Sequence, residues 1–418
     1  MFEISMTAQI DLPLVDSDRN ADASALLVAT ATLFNMALCF LFTLGLPVGS
    51  AAIVAACELI ISTIALMLAQ GVISDRALLI MAMLTGYLLA LSLLRQGSSP
   101  KIVRDLMIPF AYYFLGLANG TPERADRLVR LLLIIVLAVG VVEWLDLELY
   151  TRMLNVTEYF IAKGMMTASE ADNSVTGAGS GLYISGMRID GRNFLPFLEP
   201  ILGLHRVSSV FLEPIELSNF AVIAYVWLLC RFDAHATLNS LVYMLMAFVL
   251  TALCDSRFAS LVCVIITLCH LIGISSRTSF VAALPIVMCG ATLIRACLWH
   301  PVVIGDDLMG RLYTSGSLLA SFTLGEWFGF SESQGPIGDA GYAYLVTYSG
   351  FSVPIILWIL FLAGSGTTRL ARTVRGAIAI YSTVLLTVSY GLLSIKTAAL
   401  LWYLYGAVAS EKAENSDV

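Results

Sequence analysis

Charge is scarce in this chain. Asp, Glu, Lys and Arg make up 13% of its 418 residues, about half of what a soluble domain carries. Apolar residues make up 59%. So few charges cannot cover a soluble fold of this size, which excludes a soluble enzyme and a disordered chain. No basic patch with interleaved aromatics is present, so nucleic acid is not an expected partner. The net charge of −7 is spread over short loops. Metal-ligand spacing is missing too. The eight cysteines form no CxxC or Cys/His pattern and fall in or at the ends of apolar stretches, where a thiol acts as a small apolar group. Residues 1–24 lack the basic segment of a cleavable signal peptide and carry Asp11, Asp16, Asp18 and Asp22 instead. What remains is a polytopic membrane protein.

Long apolar sequence is what the chain does have. A helix needs about 20 apolar residues to span the hydrocarbon. Twelve segments qualify, near 25–47, 50–72, 77–95, 102–119, 128–147, 214–232, 238–254, 258–274, 279–298, 341–363, 376–393 and 395–410. The cluster from Gly45 to Ser50 splits the first two as a tight hairpin, and the last two are nearly continuous. The expected fold is therefore all-α, with eleven or twelve transmembrane helices and no visible internal repeat. Five helices occupy 1–147, a first long loop 148–213, four helices 214–298, a second long loop 299–340, and the last helices with a tail 341–418. In the first loop, 149–166 has the spacing of a helix lying on the membrane surface. Residues 176–186 are rich in Gly and Ser, and 194–204 is an apolar piece cut by Pro196 and Pro200.

Lys and Arg in short loops set orientation. With the N-terminus inside, the inner segments hold Arg19, Arg76, Arg124, Arg127, Arg130, Arg231, Arg277, Arg369, Arg372, Arg375 and Lys412, which is eleven. The outer short loops hold Arg95, Lys101, Arg104, Arg257 and Lys396, which is five. This bias puts both termini in the cytoplasm and both long loops on the outer face.

Charges near a bilayer are costly and so are candidates for function. Several gather on the outer side: Arg188, Asp190, Arg192, Glu199, His205, Arg206, Glu213 and Glu216 in the first loop and the helix after it. Asp255-Ser256-Arg257 follow in a turn, and Asp306, Asp307, Arg311, Glu326, Glu332 and Asp339 lie in the second loop. Such a face suits an anionic, lipid-linked substrate. Glu58, Glu143, Arg295 and Lys396 read as charges in or near the ends of spans, Arg104 and Asp105 as a local interfacial pair, and Arg369, Arg372 and Arg375 as topology-setting charges.

The sharpest string is Arg206-Val207-Ser208-Ser209-Val210-Phe211-Leu212-Glu213-Pro214, followed by Asn219-Phe220. A plain reading is a salt-bridged helix start, with Pro214 in the first turn. The string also resembles the R-x-S-S-x-F-x-E-P signature of bacterial exopolysaccharide and O-antigen polymerases of the Wzy type. Asp255-Ser256-Arg257-Phe258-Ala259-Ser260 resembles the start of a central span in polymerases and O-antigen ligases. Asp339-Ala340-Gly341-Tyr342, with Leu345 and Gly350, resembles the D-x-G-Y that opens the span after the second long loop of the polymerases. The three motifs cover about 40 residues in the family's order. Ligases carry a His near this last position, whereas here the nearest is His300. Arg192 and Gly203 fit an Arg-x10-Gly spacing, but with 31 glycines in the chain about one such match arises by chance.

The resemblance implies a GT-C-like glycosyltransferase of the bacterial inner membrane. It would join undecaprenyl-diphosphate-linked oligosaccharide repeat units at the periplasmic face, with a chain-length regulator and an export complex as partners and membrane lipid around it. A diphosphate leaving group needs positive charge. Arginine supplies this without a metal, so no metal or organic cofactor is expected. Arg206 and Arg257, then Arg192 and Arg311, are the candidate substrate contacts. Glu213 and Asp339 are the candidate general bases. Glu213 has the alternative of pairing with Arg206, and Asp339 of capping a helix. Tyr342, Tyr344, Trp327 and Phe328 are aromatics that could face a sugar, or form an interfacial belt. An O-antigen ligase-like transferase and a transporter or flippase of lipid-linked sugars remain the alternatives.

Overall fold

The computed structural model describes residues 17–95, 101–171, 181–187, 199–203, 205–232, 237–299, 308–331, 337–364, 366 and 368–410. Arg188, Asp190, Arg192, Asp306, Asp307, Glu332, His300 and Lys412 therefore lie outside the described residues. The rest is all-α. Its helices are α1 (Ser17–Thr43), α2 (Ala51–Ala69), α3 (Asp75–Leu94), α4 (Lys101–Asn119), α5 (Pro122–Leu145), α6 (Leu147–Met153), α7 (Val156–Ala162), α8 (Ala168–Ala171), α9 (Glu199–Leu202), α10 (Pro214–Phe232), α11 (Leu238–Leu253), α12 (Arg257–Leu271), α13 (Thr278–Leu298), α14 (Leu308–Ser321), α15 (Leu324–Trp327), α16 (Gly341–Ser349), α17 (Ser352–Ala363), α18 (Arg369–Leu385) and α19 (Ile395–Ala409). Among the described residues the only β-pairing is an isolated bridge between Met187 and His205.

Local chemistry explains where these helices begin. Ser50, Ser74, Thr121, Thr237, Ser256 and Thr368 each accept a hydrogen bond from a backbone N–H of the first turn they precede. Pro122 then occupies the first position of α5, where its missing N–H costs nothing. Gly45 turns the chain between α1 and α2 with φ +90°, as the Gly/Pro cluster predicts.

All twelve expected segments hold helix. Among the described residues six helices are long and apolar enough to cross a membrane: Arg19–Thr43, Ala51–Val72, Asp75–Leu94, Pro122–Leu145, Pro214–Phe232 and Thr278–Leu298. There are seven if α16 and α17 are taken as one span. Two expected spans are shaped differently. Residues 341–363 are not one helix but two, bent by 110°. Gly350 there has φ +69°, a conformation that ends α16. The span placed at 376–393 is instead α18, which begins at Arg369 and stops at Leu385, leaving irregular chain before Lys396.

Helix α10 is the centre of the bundle, buried along most of its length against α11, α12, α18 and α19. Helices α4 and α19 share the most extensive helix–helix contact. A Cβ on Gly116 would lie 2.2 Å from the Tyr403 carbonyl oxygen, and one on Gly406 would lie 2.1 Å from that of Tyr113. Only glycine permits this approach, the small-residue packing typical of membrane helices. One end of the bundle is tied by Ser410 to Gly120 and by Arg231 to Glu123 and Asp126. The other end carries the starts of α2, α4, α10 and α19, the short helices α6 and α7, and the candidate site.

Candidate functional site

The Arg206–Pro214 string forms a buried hook, not a helix. The Val207 N–H donates to the Leu253 carbonyl. The N–H groups of Ser208 and Ser209 both donate to the Glu143 carboxylate, at 2.9 and 2.5 Å. Ser209 Oγ donates to the Val136 carbonyl, and Tyr150 Oη donates to that of Ser209. Ser209 and Leu212 adopt φ 51° and 64°, left-handed values that cost free energy in non-glycine residues. Glu143, read from sequence as an interfacial charge, is fully buried and anchors this backbone. The motif phenylalanines Phe211 and Phe220 pack on each other at 5.3 Å. The hook ends by presenting Glu213 at the start of α10.

Glu213 meets Lys396, not Arg206. Lys396 Nζ donates to Glu213 Oε1 at 2.8 Å and reaches the Phe211 carbonyl at 3.5 Å. Thr397, the next residue, donates to Glu216 Oε2 at 3.5 Å. The irregular chain after α18 allows this, because α19 starts inside the bundle with Lys396 in its first turn. Close by, Arg104 pairs with Glu58 and donates to Asp105 Oδ1 through Nε and Nη2 at 3.0 and 2.8 Å. The sequence suggested the Arg104–Asp105 pair but not the link to Glu58.

A cavity of about 250 Å³ opens beside these charges, lined by Lys101, Ile337, Gly338, Tyr344, Tyr348 and Tyr390. Tyr344 stacks on Tyr390 with centroids 4.5 Å apart and planes 15° from parallel. Lys101 Nζ stands 4.9 Å over the Tyr390 ring and 3.8 Å from Asp105 Oδ2. Tyr344 Oη donates to the same carboxylate at 3.1 Å. The D-x-G-Y motif builds this wall. A Cβ on Gly341 would stand 2.3 Å from the Ser389 carbonyl oxygen, so glycine lets α16 lie against the chain that carries Tyr390. Tyr342 is spent on that docking: its N–H donates to the Leu386 carbonyl and its hydroxyl to that of Thr383. It is not a cavity residue. Tyr344, two residues further along α16 and so on another face of it, takes that place.

Asp339 sits at the lip, next to Gly338, and pairs with Arg311 at 3.5 Å. The residue capping α16 is Ala340, so Asp339 is not its cap. Tyr390 and Tyr183 each have their phenol pushed up to about 12, by burial first and then by the negative field of Asp339 and Glu213. Arg206 spends its guanidinium on the carbonyls of Cys254, at 2.9 Å, and Ser185, at 3.2 Å. Arg257 is exposed in the first turn of α12 and does not line the cavity. Trp327 and Phe328 pack on Phe322 and Phe351, away from its wall. Lys101, Glu58, Lys163, Lys396, Tyr183 and Tyr390 are members of the site that motif reading missed. For Glu58 and Lys396 the signal was their position in or beside apolar spans.

Among the described residues no group of three His, Cys, Asp or Glu is placed to hold a metal ion. No family model, curated protein or solved structure matches the chain at a significant level. What the fold does establish is a multi-pass, helical membrane protein.

Proposed function

We propose that this protein is a lipid-linked oligosaccharide glycosyltransferase, a polysaccharide polymerase acting at the periplasmic face of a bacterial inner membrane. The reading rests on the three motifs that resemble those of Wzy-type polymerases. The observation that carries it is the cavity in which stacked Tyr344 and Tyr390 adjoin the Asp105 carboxylate, with Asp339 at its lip beside Gly338 and the field of Glu213 reaching Tyr390. Flat aromatic faces suit sugar rings, and carboxylates beside them suit proton transfer from a hydroxyl. In the reaction, a hydroxyl oxygen of one lipid-linked repeat attacks the anomeric carbon of the other chain. The bond from that carbon to the diphosphate oxygen breaks, and its electron pair leaves with the diphosphate. The hydroxyl proton passes to Glu213 or Asp339.

The test is reconstitution with a lipid-diphosphate-linked repeat, with products resolved on a gel with and without a chelator. A ladder spaced by one repeat that survives chelation is the expected result, and Glu213→Gln and Asp339→Asn then rank the two bases. A ladder lost on chelation removes the metal-independent account. No ladder with the confirmed cognate repeat removes the polymerase and favours a ligase or a transporter.

A further inference from the structure

Among the described residues five cations gather at the site, and four of them are paired, Arg311 with Asp339 at the lip. Lys101 leans on Asp105, Arg104 is shared by Asp105 and Glu58, and Lys396 is locked to Glu213. Lys163 makes no ion pair among the described residues. It follows α7 and stands 5.6 Å over the ring of Phe160, which is fully buried and packs against Tyr183 with centroids 4.4 Å apart and planes tilted by 41°. The backbone there is fixed. The methyl group of Ala162 is 3.0 Å from where a Cβ on Gly49 would sit, so α7 rests on the α1–α2 turn. Tyr159, on the same helix, donates to Asn35 at 2.9 Å.

The charged groups that act on Lys163 are Lys396, of like sign, and the carboxylates of Glu213, Glu58 and Glu216. Each of these carboxylates already accepts from another residue: Glu58 is held by Arg104, Glu213 by Lys396 and Glu216 by Thr397. Burial, and then the like charge of Lys396, hold the Lys163 amine down to about 8. A half-buried ammonium that lies on an aromatic ring but has no anionic partner, and is repelled by a neighbouring cation, is stabilised by an incoming anion. Arg206, expected to meet the leaving group, donates instead to two backbone carbonyls.

We propose that Lys163 receives the diphosphate of the lipid-linked substrate. The proposal rests on the glycosyl-transfer reading above. As the bond from the anomeric carbon breaks, the diphosphate oxygen keeps the electron pair. The Lys163 ammonium donates hydrogen bonds to the diphosphate and keeps its proton.

The experiment is amine acylation of the full chain in phosphatidylcholine nanodiscs, with modification of Lys163 followed by mass spectrometry. The probes are undecaprenyl diphosphate, undecaprenol and inorganic pyrophosphate. At ten times its Kd a ligand fills about nine-tenths of the sites, so undecaprenyl diphosphate should slow Lys163 labelling about tenfold. Undecaprenol should not. Protection by pyrophosphate as well would support the same contact, with the anion alone recognised. Protection by the diphosphate lipid only would support it with the lipid chain required. Equal protection by undecaprenol, or none by either lipid, would overturn it. Lys163→Gln should weaken binding of undecaprenyl diphosphate roughly tenfold while leaving the melting temperature unchanged. Protection without polymer formation in the ladder assay would keep the anion contact and remove glycosyl transfer. A ladder without protection would do the reverse.

Discussion

Lys396 and Glu213 are 6% and 15% exposed, and each is the other's ion-pair partner. Removing one member of a buried pair strands the other, at a cost of about 3–5 kcal/mol, whereas removing both costs far less. Lys396→Met and Glu213→Gln should therefore each lower the melting temperature in detergent, and the double variant should regain more than half of the loss. Additive losses would mean that the pair does not hold the site together. Glu213 was legible as a site residue, because Pro214 and the preceding string mark it, and Lys396 only as a charge beside an apolar span; their pairing was not. Lys396 is 183 positions away in a largely apolar run, and no spacing rule reaches that far. The same holds for Glu143, whose partners are backbone groups of Ser208 and Ser209 and leave no trace in side-chain patterns. Arg206 shows the converse: the motif marked it as a substrate contact or a partner of Glu213, whereas in the structure its guanidinium donates to the Cys254 and Ser185 carbonyls.

At the scale of elements, glycine decides how closely helices meet. Gly116→Val or Gly406→Val must push α4 from α19, because the added Cβ would fall 2.2 or 2.1 Å from a backbone oxygen. Overpacking of this kind costs about 1–3 kcal/mol or more. Gly86 in α3 has open space around its Cβ position, so Gly86→Ala should leave stability unchanged or raise it slightly. Melting temperatures of the three variants in one detergent check the contrast, and equal effects would refute the packing account. Helices were legible because apolar runs and their Ser and Thr caps are local signals. Their interruptions were less so. Gly350 belongs to the third motif, but that it breaks the span emerges only from contact: a Cβ there would lie 2.7 Å from the Phe328 carbonyl oxygen. The early stop of α18 is likewise set by what docks on it, since the Leu386 and Thr383 carbonyls accept from Tyr342.

At the scale of the whole molecule, composition alone gave the class, since 13% charge leaves no soluble alternative. The alternation of helices then brings residues from α2, α4, α10, α16 and α19 to one end, an assembly no single motif encodes. One further property follows from the lengths of α11 and α12. They hold 16 and 15 residues, about 24 and 22 Å at 1.5 Å per residue, against about 30 Å of hydrocarbon. Both turn apolar side chains outward, Leu241, Leu245, Leu261 and Leu268 among them. Lipid on that flank must thin to match them, at a cost that grows with acyl-chain length. Ladder formation in bilayers of increasing thickness should therefore slow steadily, and a rate indifferent to thickness would mean that the short flank is not lipid-facing. Slowing of that kind would make the bilayer's own thickness a control on the protein, set by the fatty acids the cell makes and not by any ligand.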